Sequence, residues 1–244
     1  MRKDWRAILT GDNNNPNTER ENRILDAASS LVLHYGYDKT TVSDIAHQAR
    51  VSKGAIYLHW KSKDELFQAL IWREVWSYAE TWISQLEAAP DGGSLFSMYK
   101  YSLAGLHAHP FMRALFTRDR RILGDFLTRQ EAELIRQKFI MGKDFLRLMQ
   151  QAGALREDAD PDVVAYLMSS IAYGLVKVDE IVSPDEAPDF LRVIEETADM
   201  LNRAYGTPDE ASQAAGKQII RQVTEAAKMQ FTPSQQSNHE QKKE

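Results

Sequence analysis

The residues of this 244-residue chain best suited to chemistry lie between Thr41 and Lys63. The chemistry they suit is hydrogen bonding to phosphates and to the polar edges of bases. Lys53, Tyr57, His59 and Lys63 carry donors of that kind. Gly54, next to Lys53, lets a backbone approach a partner closely. The stretch that must position them reads TVSDIAHQARVSKGAIYLHWKSKDELF, residues 41–67. Thr41 is a good helix N-cap, and Asp44 adds negative charge to the first turn. Val42, Ile45, Ala46 and Ala49 recur at helical spacing. Arg50 and Val51 make a turn. Ser52 is the next N-cap, and residues 53–60 form a helix of about two turns. Ile56 and Trp60 point inward on it, with Lys53, Gly54, Tyr57 and His59 on other faces. Ser62 with Glu65 makes a capping box for a third helix.

A helix, a turn and a short cationic helix is what reading a major groove requires, since that groove is about 12 Å wide and admits one helix. The same pattern also suits an ordinary helical hairpin with a polar exterior, and spacing alone does not choose. The residues Thr40-Thr41-Val42, Asp44-Ile45-Ala46, Val51 to Tyr57, His59-Trp60 and Lys61 to Leu66 do more. Together they resemble the DNA-binding domain of the TetR family of bacterial transcription regulators. The close resemblance covers about residues 20–67. Trp60 stands where the family usually has Phe, and keeps an aromatic plug. Arg50 stands where Gly is frequent. If that turn needs a positive φ, Arg costs roughly 1 kcal/mol relative to Gly, while setting a cation beside the DNA backbone. The DNA-binding set implied is Thr41, Arg50, Ser52, Lys53, Gly54, Ala55, Tyr57, His59 and Lys63. Lys53, Gly54, Ala55 and Tyr57 are the candidates for the groove, and Thr41, Tyr57, His59 and Lys63 for phosphate.

Composition sets bounds. The chain is 43% apolar and 27% charged, enough for one or two domains with a core. A net charge of −5 is no obstacle to a regulator that needs only local positive charge. With no cysteine there are no disulfides and no thiolate metal sites. No apolar run reaches the ~18 residues of a membrane span, and the start has too short an apolar stretch for a signal peptide. A cytoplasmic protein is expected.

The fold expected is all-α. Residues 1–17 are a flexible arm with a breaker cluster at Asn13–Asn17. Its cations, Arg2, Lys3 and Arg6, suit either a minor-groove arm or a frayed tail. Residues 18–66 are a three-helix DNA-binding domain, its first helix opened by a Thr18–Glu21 capping box and stopped at Gly36. A long helix over about 63–89 joins it to a larger helical domain, 67–206. Helices follow at 94–108, 110–117, 119–127, 128–151 and 161–182. The last of this set starts at Ser183, Pro184 and Glu186 and closes at Gly206. A further helix spans 207–231, and 232–244 has the composition of a disordered tail.

The larger domain carries two apolar helical stripes. One is Val164, Leu167, Met168, Ile171, Leu175 and Val178; the other is Phe190, Val193, Ile194, Thr197 and Leu201. The resemblance implies that these last two helices pair with their copies in a homodimer. A two-fold dimer would also read two half-sites at fixed spacing. The resemblance further implies a small-molecule effector between the long helix and residues 94–151. The candidate lining is Trp72, Trp76, Tyr99, His107, Phe111, Phe116, Phe139 and Tyr173, an apolar and partly aromatic set. His107 and His109 can touch such a ligand or complement a negative helix end. His-x-His with no carboxylate partner is a poor metal pattern. No cofactor is implied. No Ser/His/Asp arrangement sits on a recognisable frame, so no enzyme is expected. The function implied is a repressor released from a palindromic double-stranded DNA operator by a small effector. The alternative is a DNA-binding protein of the same fold, controlled by a protein partner or by DNA alone.

Overall fold

The computed structural model describes residues 16–128, 143–183 and 185–231. Residues 1–15 of the expected arm, the tail, Glu131 of the expected Thr128–Glu131 capping box and Phe139 lie outside those residues, whereas Pro16 and Asn17 of the arm fall in the first helix and Thr128 in a 3-10 turn. Among the described residues the regular elements are helices, with one isolated antiparallel bridge between Leu155 and Gly206. No described helix is long and apolar enough to cross a membrane.

The first helix, α1 (Pro16–Tyr35), starts two residues before the expected cap. Pro suits a first helical position, because the N–H it lacks would have no partner there. Thr18 therefore lies inside the helix. Glu21, expected to close a box with Thr18, is buried and turned to a distant histidine. Gly36 ends α1 at φ +83°, and a Cβ there would also collide with the Arg121 carbonyl oxygen. α2 (Val42–Gln48) and α3 (Lys53–His59) follow, capped by Thr41 and Ser52 as expected. α4 (Lys63–Ala88) is the 26-residue link. Ser62 caps it by accepting from Glu65 N at 3.1 Å. The Glu65 carboxylate reaches back to Lys61 N, at 2.8 Å, one residue beyond the usual capping-box partner.

α5 (Leu95–Ala108), α6 (Pro110–Thr117) and α7 (Arg120–Leu123) come next, with a 3-10 turn over Gly124–Thr128. α8 (Lys143–Gln151), α9 (Pro161–Lys177), α10 (Phe190–Tyr205) and α11 (Glu210–Phe231) complete the order. α10 starts later than the Ser183–Pro184 signal suggested, at an N-cap Asp189 whose side chain accepts from Arg192 N. Packing pairs α5 with α4 and with α10, and α8 with α9.

One buried apolar cluster runs without a break from Ile24 and Ile56, through Phe67, Phe111 and Phe126, to Val164 and Leu201. Aromatic rings hold its middle. Phe67 lies 4.7 Å from Phe126 and 4.6 Å from Tyr37, centre to centre. A second cluster of Leu86, Met98, Met149, Ala154 and Ile220 closes the far end of α4. α11 supplies Ile220, and its Arg221 pairs with Glu87 on α4. Lys217 donates to the Ala89 carbonyl at 2.6 Å.

The two expected dimer stripes are corrected in part here. Val164 and Met168 of α9, and Ile194 and Leu201 of α10, pack inside the single chain. Leu167 (36%) of the expected α9 stripe stays exposed, together with Val163 (52%), Tyr166 (75%) and Tyr173 (49%), and Ser170 and Gly174 lie beside them. A Cβ at Gly174 would meet nothing within 4 Å.

Candidate nucleic-acid interface

The α2–turn–α3 unit is fixed by its caps. Thr41 N donates to Asp44 Oδ2 at 3.0 Å, and Asp44 N to Thr41 Oγ1 at 3.2 Å. The Thr41 hydroxyl also donates to Asp44 Oδ2 at 2.6 Å, and that bond first, then the one from Thr41 N, holds the Asp44 carboxyl below the usual carboxylate range. Ala55 N donates to Ser52 Oγ at 3.1 Å at the start of α3. The turn between them is a Schellman closure: Arg50 N donates to His47 O at 3.2 Å and Val51 N to Ala46 O at 2.9 Å. That closure needs a left-handed residue, and Arg50 supplies it at φ +55°. The turn therefore does need the positive φ under which an arginine in place of glycine carries a cost.

α3 is anchored by one face. Ile56 and Trp60 are 1% exposed and join the core. His59 belongs to the same face, which corrects its expected place among the phosphate contacts. It is 7% exposed, and its Nδ1–H donates to Glu21 Oε1 of α1 at 2.5 Å. Four residues, Lys53, Gly54, Tyr57 and Leu58, are exposed on the other side. Tyr57 is 51% exposed and Leu58 82%. Thr41, Arg50 and Ser52 are exposed as well, and Ala55 is half-buried. Lys63 is held differently from the rest: its ammonium donates to the Tyr37 carbonyl at 2.5 Å and lies 4.0 Å from the centre of the Tyr37 ring. Leu58 was missing from the sequence reading. Its signal was the i, i+4 relation to Gly54, which puts both on one row of the helix.

A Cβ at Gly54 would meet only the Ser52 hydroxyl, at 3.7 Å. No described residue requires a glycine there, so the bare backbone faces outward. Beside the unit, Arg23, Asp26, Ala27, Gln48, Ala49 and Arg50 line an open cleft of about 610 Å³. Its Asp26 is paired with Arg73 of α4 at 2.7 Å.

Among the described residues, polar contacts as well as the shared core tie the α1–α3 unit to the rest of the chain, and two places stand out. At the first, Arg73 of α4 also donates to the Asn22 carbonyl of α1 at 3.2 Å and pairs with Glu74 at 2.6 Å. The other Glu74 oxygen lies 3.4 Å from His109 Nε2. His109 is the N-cap of α6, accepting from Met112 N at 3.4 Å. At the second, Tyr37 N donates to the Ile122 carbonyl at 2.8 Å, and Asp38 accepts from Asp125 N at 3.3 Å.

The expected effector lining divides. Trp76, Tyr99 and Phe111 are at most 5% exposed. The Tyr99 hydroxyl donates to the Met168 carbonyl at 2.9 Å, and burial pushes that phenol up. Trp72 and Phe116 are half-buried. His107 is exposed and stacks on Phe190, ring centres 4.1 Å apart, while Tyr173 lies on the exposed α9 stripe. These two do not join the buried group.

Residues 24–70 match the family model for bacterial regulatory proteins of the tetR family. The chain is 28% identical over 160 residues to the A-factor receptor protein of Streptomyces griseus, covering 64% of this chain and 54% of that one. It is 27% identical over 158 residues to the HTH-type transcriptional repressor Rv1474c of Mycobacterium tuberculosis, covering 64% and 80%. The chain thus spans about half the length of the first relative and four-fifths of the second. The fold resembles that of the SmeT–triclosan complex, with a TM-score of 0.55, 19% identity, and 79% and 94% of the two chains covered.

Proposed function

We propose that this chain, whose residues 24–70 match the model for bacterial regulatory proteins of the tetR family, is a homodimeric repressor of a palindromic operator, released by a small apolar or aromatic effector. The observation that carries this is the two-sided character of α3. Ile56, His59 and Trp60 lock one face to the core, while Lys53, Gly54 and Tyr57 stand free on the other. A rigid, exposed, cation-bearing helix of two turns is the element a major groove accepts. Arg50 and Thr41 lie on the same unit for phosphate contacts.

The exposed stripe of α9 supports dimerisation. Val163, Tyr166, Leu167 and Tyr173 repeat at i, i+3, i+4 and i+10, with Leu191 and Met200 exposed on α10. A second copy would remove this apolar surface from water. An apolar effector is supported by the aromatic residues around α5 and by the triclosan bound to the structural neighbour. Such a ligand acts only by binding the non-reading state more tightly than the reading one.

A second reading, control by a protein partner or by DNA alone, is favoured by the tight burial of Trp76, Tyr99 and Phe111. One experiment separates these readings. Genomic fragments retained by the pure protein are footprinted, and the complex is weighed. The repressor reading expects an inverted repeat with one dimer or a dimer pair per site, and loss of the shift with an apolar compound. Retention of no fragment, or a site with no two-fold symmetry, would refute it. An operator that no apolar compound releases would leave the second reading standing.

A further inference from the structure

We propose that Leu58 reads sequence: its side chain packs on the C5-methyl group of a thymine in the major groove. This rests on the DNA-binding reading above and names what one side chain of that interface recognises. Leu58 is 82% exposed on the outer face of α3, beside the half-exposed ring of Tyr57. Single exposed leucines are common on protein surfaces, so exposure alone decides nothing. Position does. Lys53 and Tyr57 form one i, i+4 row on the outer face, and Gly54 and Leu58 form the other. Helical side chains lean toward the N-terminus, over the preceding turn. The residue one turn before Leu58 is Gly54, which has no side chain, and a Cβ there would touch only Ser52. Leu58 therefore has no same-row neighbour to cover it, and the surface in front of it is bare backbone.

The consequence for a groove is specific. Lys53 and Tyr57 offer donors, which suit the acceptors of purine edges and phosphates. Leu58 offers only apolar surface. Among the groups displayed in the major groove, the thymine methyl is the apolar one. A glycine row that admits the DNA closely, with a leucine at its end, forms a shallow apolar seat against that methyl.

The test uses the full-length protein and the half-site it selects from a randomised duplex library. Each thymine of that half-site is replaced in turn by deoxyuridine, which lacks only the methyl group. One position should weaken wild-type binding by about fourfold per half-site, the factor that burial of one methyl corresponds to. Leu58→Ala should bind the thymine duplex more weakly and show no further loss at that position. Circular dichroism of Leu58→Ala should match wild type, because the residue is exposed. Equal sensitivity of the variant and wild type to deoxyuridine, or no sensitivity in wild type at any position, overturns the assignment while leaving DNA binding intact. Selection of no sequence at all overturns the DNA reading itself, and this inference with it.

Discussion

His59 sits on α3, the proposed reading helix, with its ring turned into the core, and replacing it tests which of two roles it plays. The imidazole and the Glu21 carboxylate have side chains only 7% and 9% exposed. Glu21→Leu leaves a buried N–H without its acceptor, a loss of about 1–3 kcal/mol. His59→Phe leaves a buried carboxylate without its donor, a loss of about 3–5 kcal/mol. At roughly 2–4 °C per kcal/mol for a chain of this size, His59→Phe should lower the melting temperature by roughly 6–20 °C. The double variant Glu21→Leu/His59→Phe removes both polar groups and places apolar ones in a buried site. It should regain about 2–3 kcal/mol relative to the sum of the single changes. The assay is thermal unfolding by circular dichroism, with operator affinity measured well below each midpoint. If the pair is a structural anchor, affinity follows stability and recovers in the double variant. If His59→Phe leaves unfolding unchanged and abolishes operator binding, and the double variant stays inactive, the anchoring argument is wrong and the histidine serves the DNA.

Arg50→Gly should raise stability by roughly 1 kcal/mol by relieving the left-handed residue, seen as a higher midpoint. The same change should weaken operator binding and flatten its salt dependence, since a cation beside the backbone is lost. Gly36→Ala should destabilise by about 2 kcal/mol or more, because the positive φ and the Arg121 carbonyl both oppose a Cβ; an unchanged denaturant midpoint would contradict that contact. Asp44 gains stability from its depressed carboxyl above its unfolded value, and loses it as pH falls through the folded value. Thr41→Val should therefore move the Asp44 titration, followed by NMR, up toward 3.8 and make the acid loss of stability shallower. Ile220→Ala should cost about 2–5 kcal/mol, as expected for a buried aliphatic residue that is 2% exposed; a change within experimental error would mean that α11 does not close the second cluster.

Local signals carried most of the element boundaries. Thr41, Ser52, Ser62 and Ser94 each cap the helix that their position announced, and Pro110 opens α6. These devices act within four residues, so a single stretch contains them whole. The misreadings share the opposite property. His59 turned inward because its acceptor lies 38 residues upstream. Glu21 looked like half of a capping box because Glu three residues after Thr is the same pattern whether or not a helix starts there. On α9, apolar residues stand on nearly every side, from Val163 and Val164 to Tyr173 and Leu175. Periodicity then offers two stripes and cannot tell which one α6 and α8 will cover. The outward role of Leu58 was hidden for a related reason: an apolar residue in a short helix reads as core until its neighbours are known.

The strap that α11 lays on the end of α4 has a consequence for how this chain comes off the ribosome. Glu87 and Arg221 are 134 positions apart. From their own synthesis until residue 220 is made, Leu86, Met98 and Met149 wait with one flank open, because the isoleucine that covers them has not been made. Exposed apolar surface of this kind is what makes a nascent chain prone to clumping. The reading unit at the other end of α4 carries its own caps and its own anchor in α1. It can settle early, so the two ends of the same helix mature at very different times.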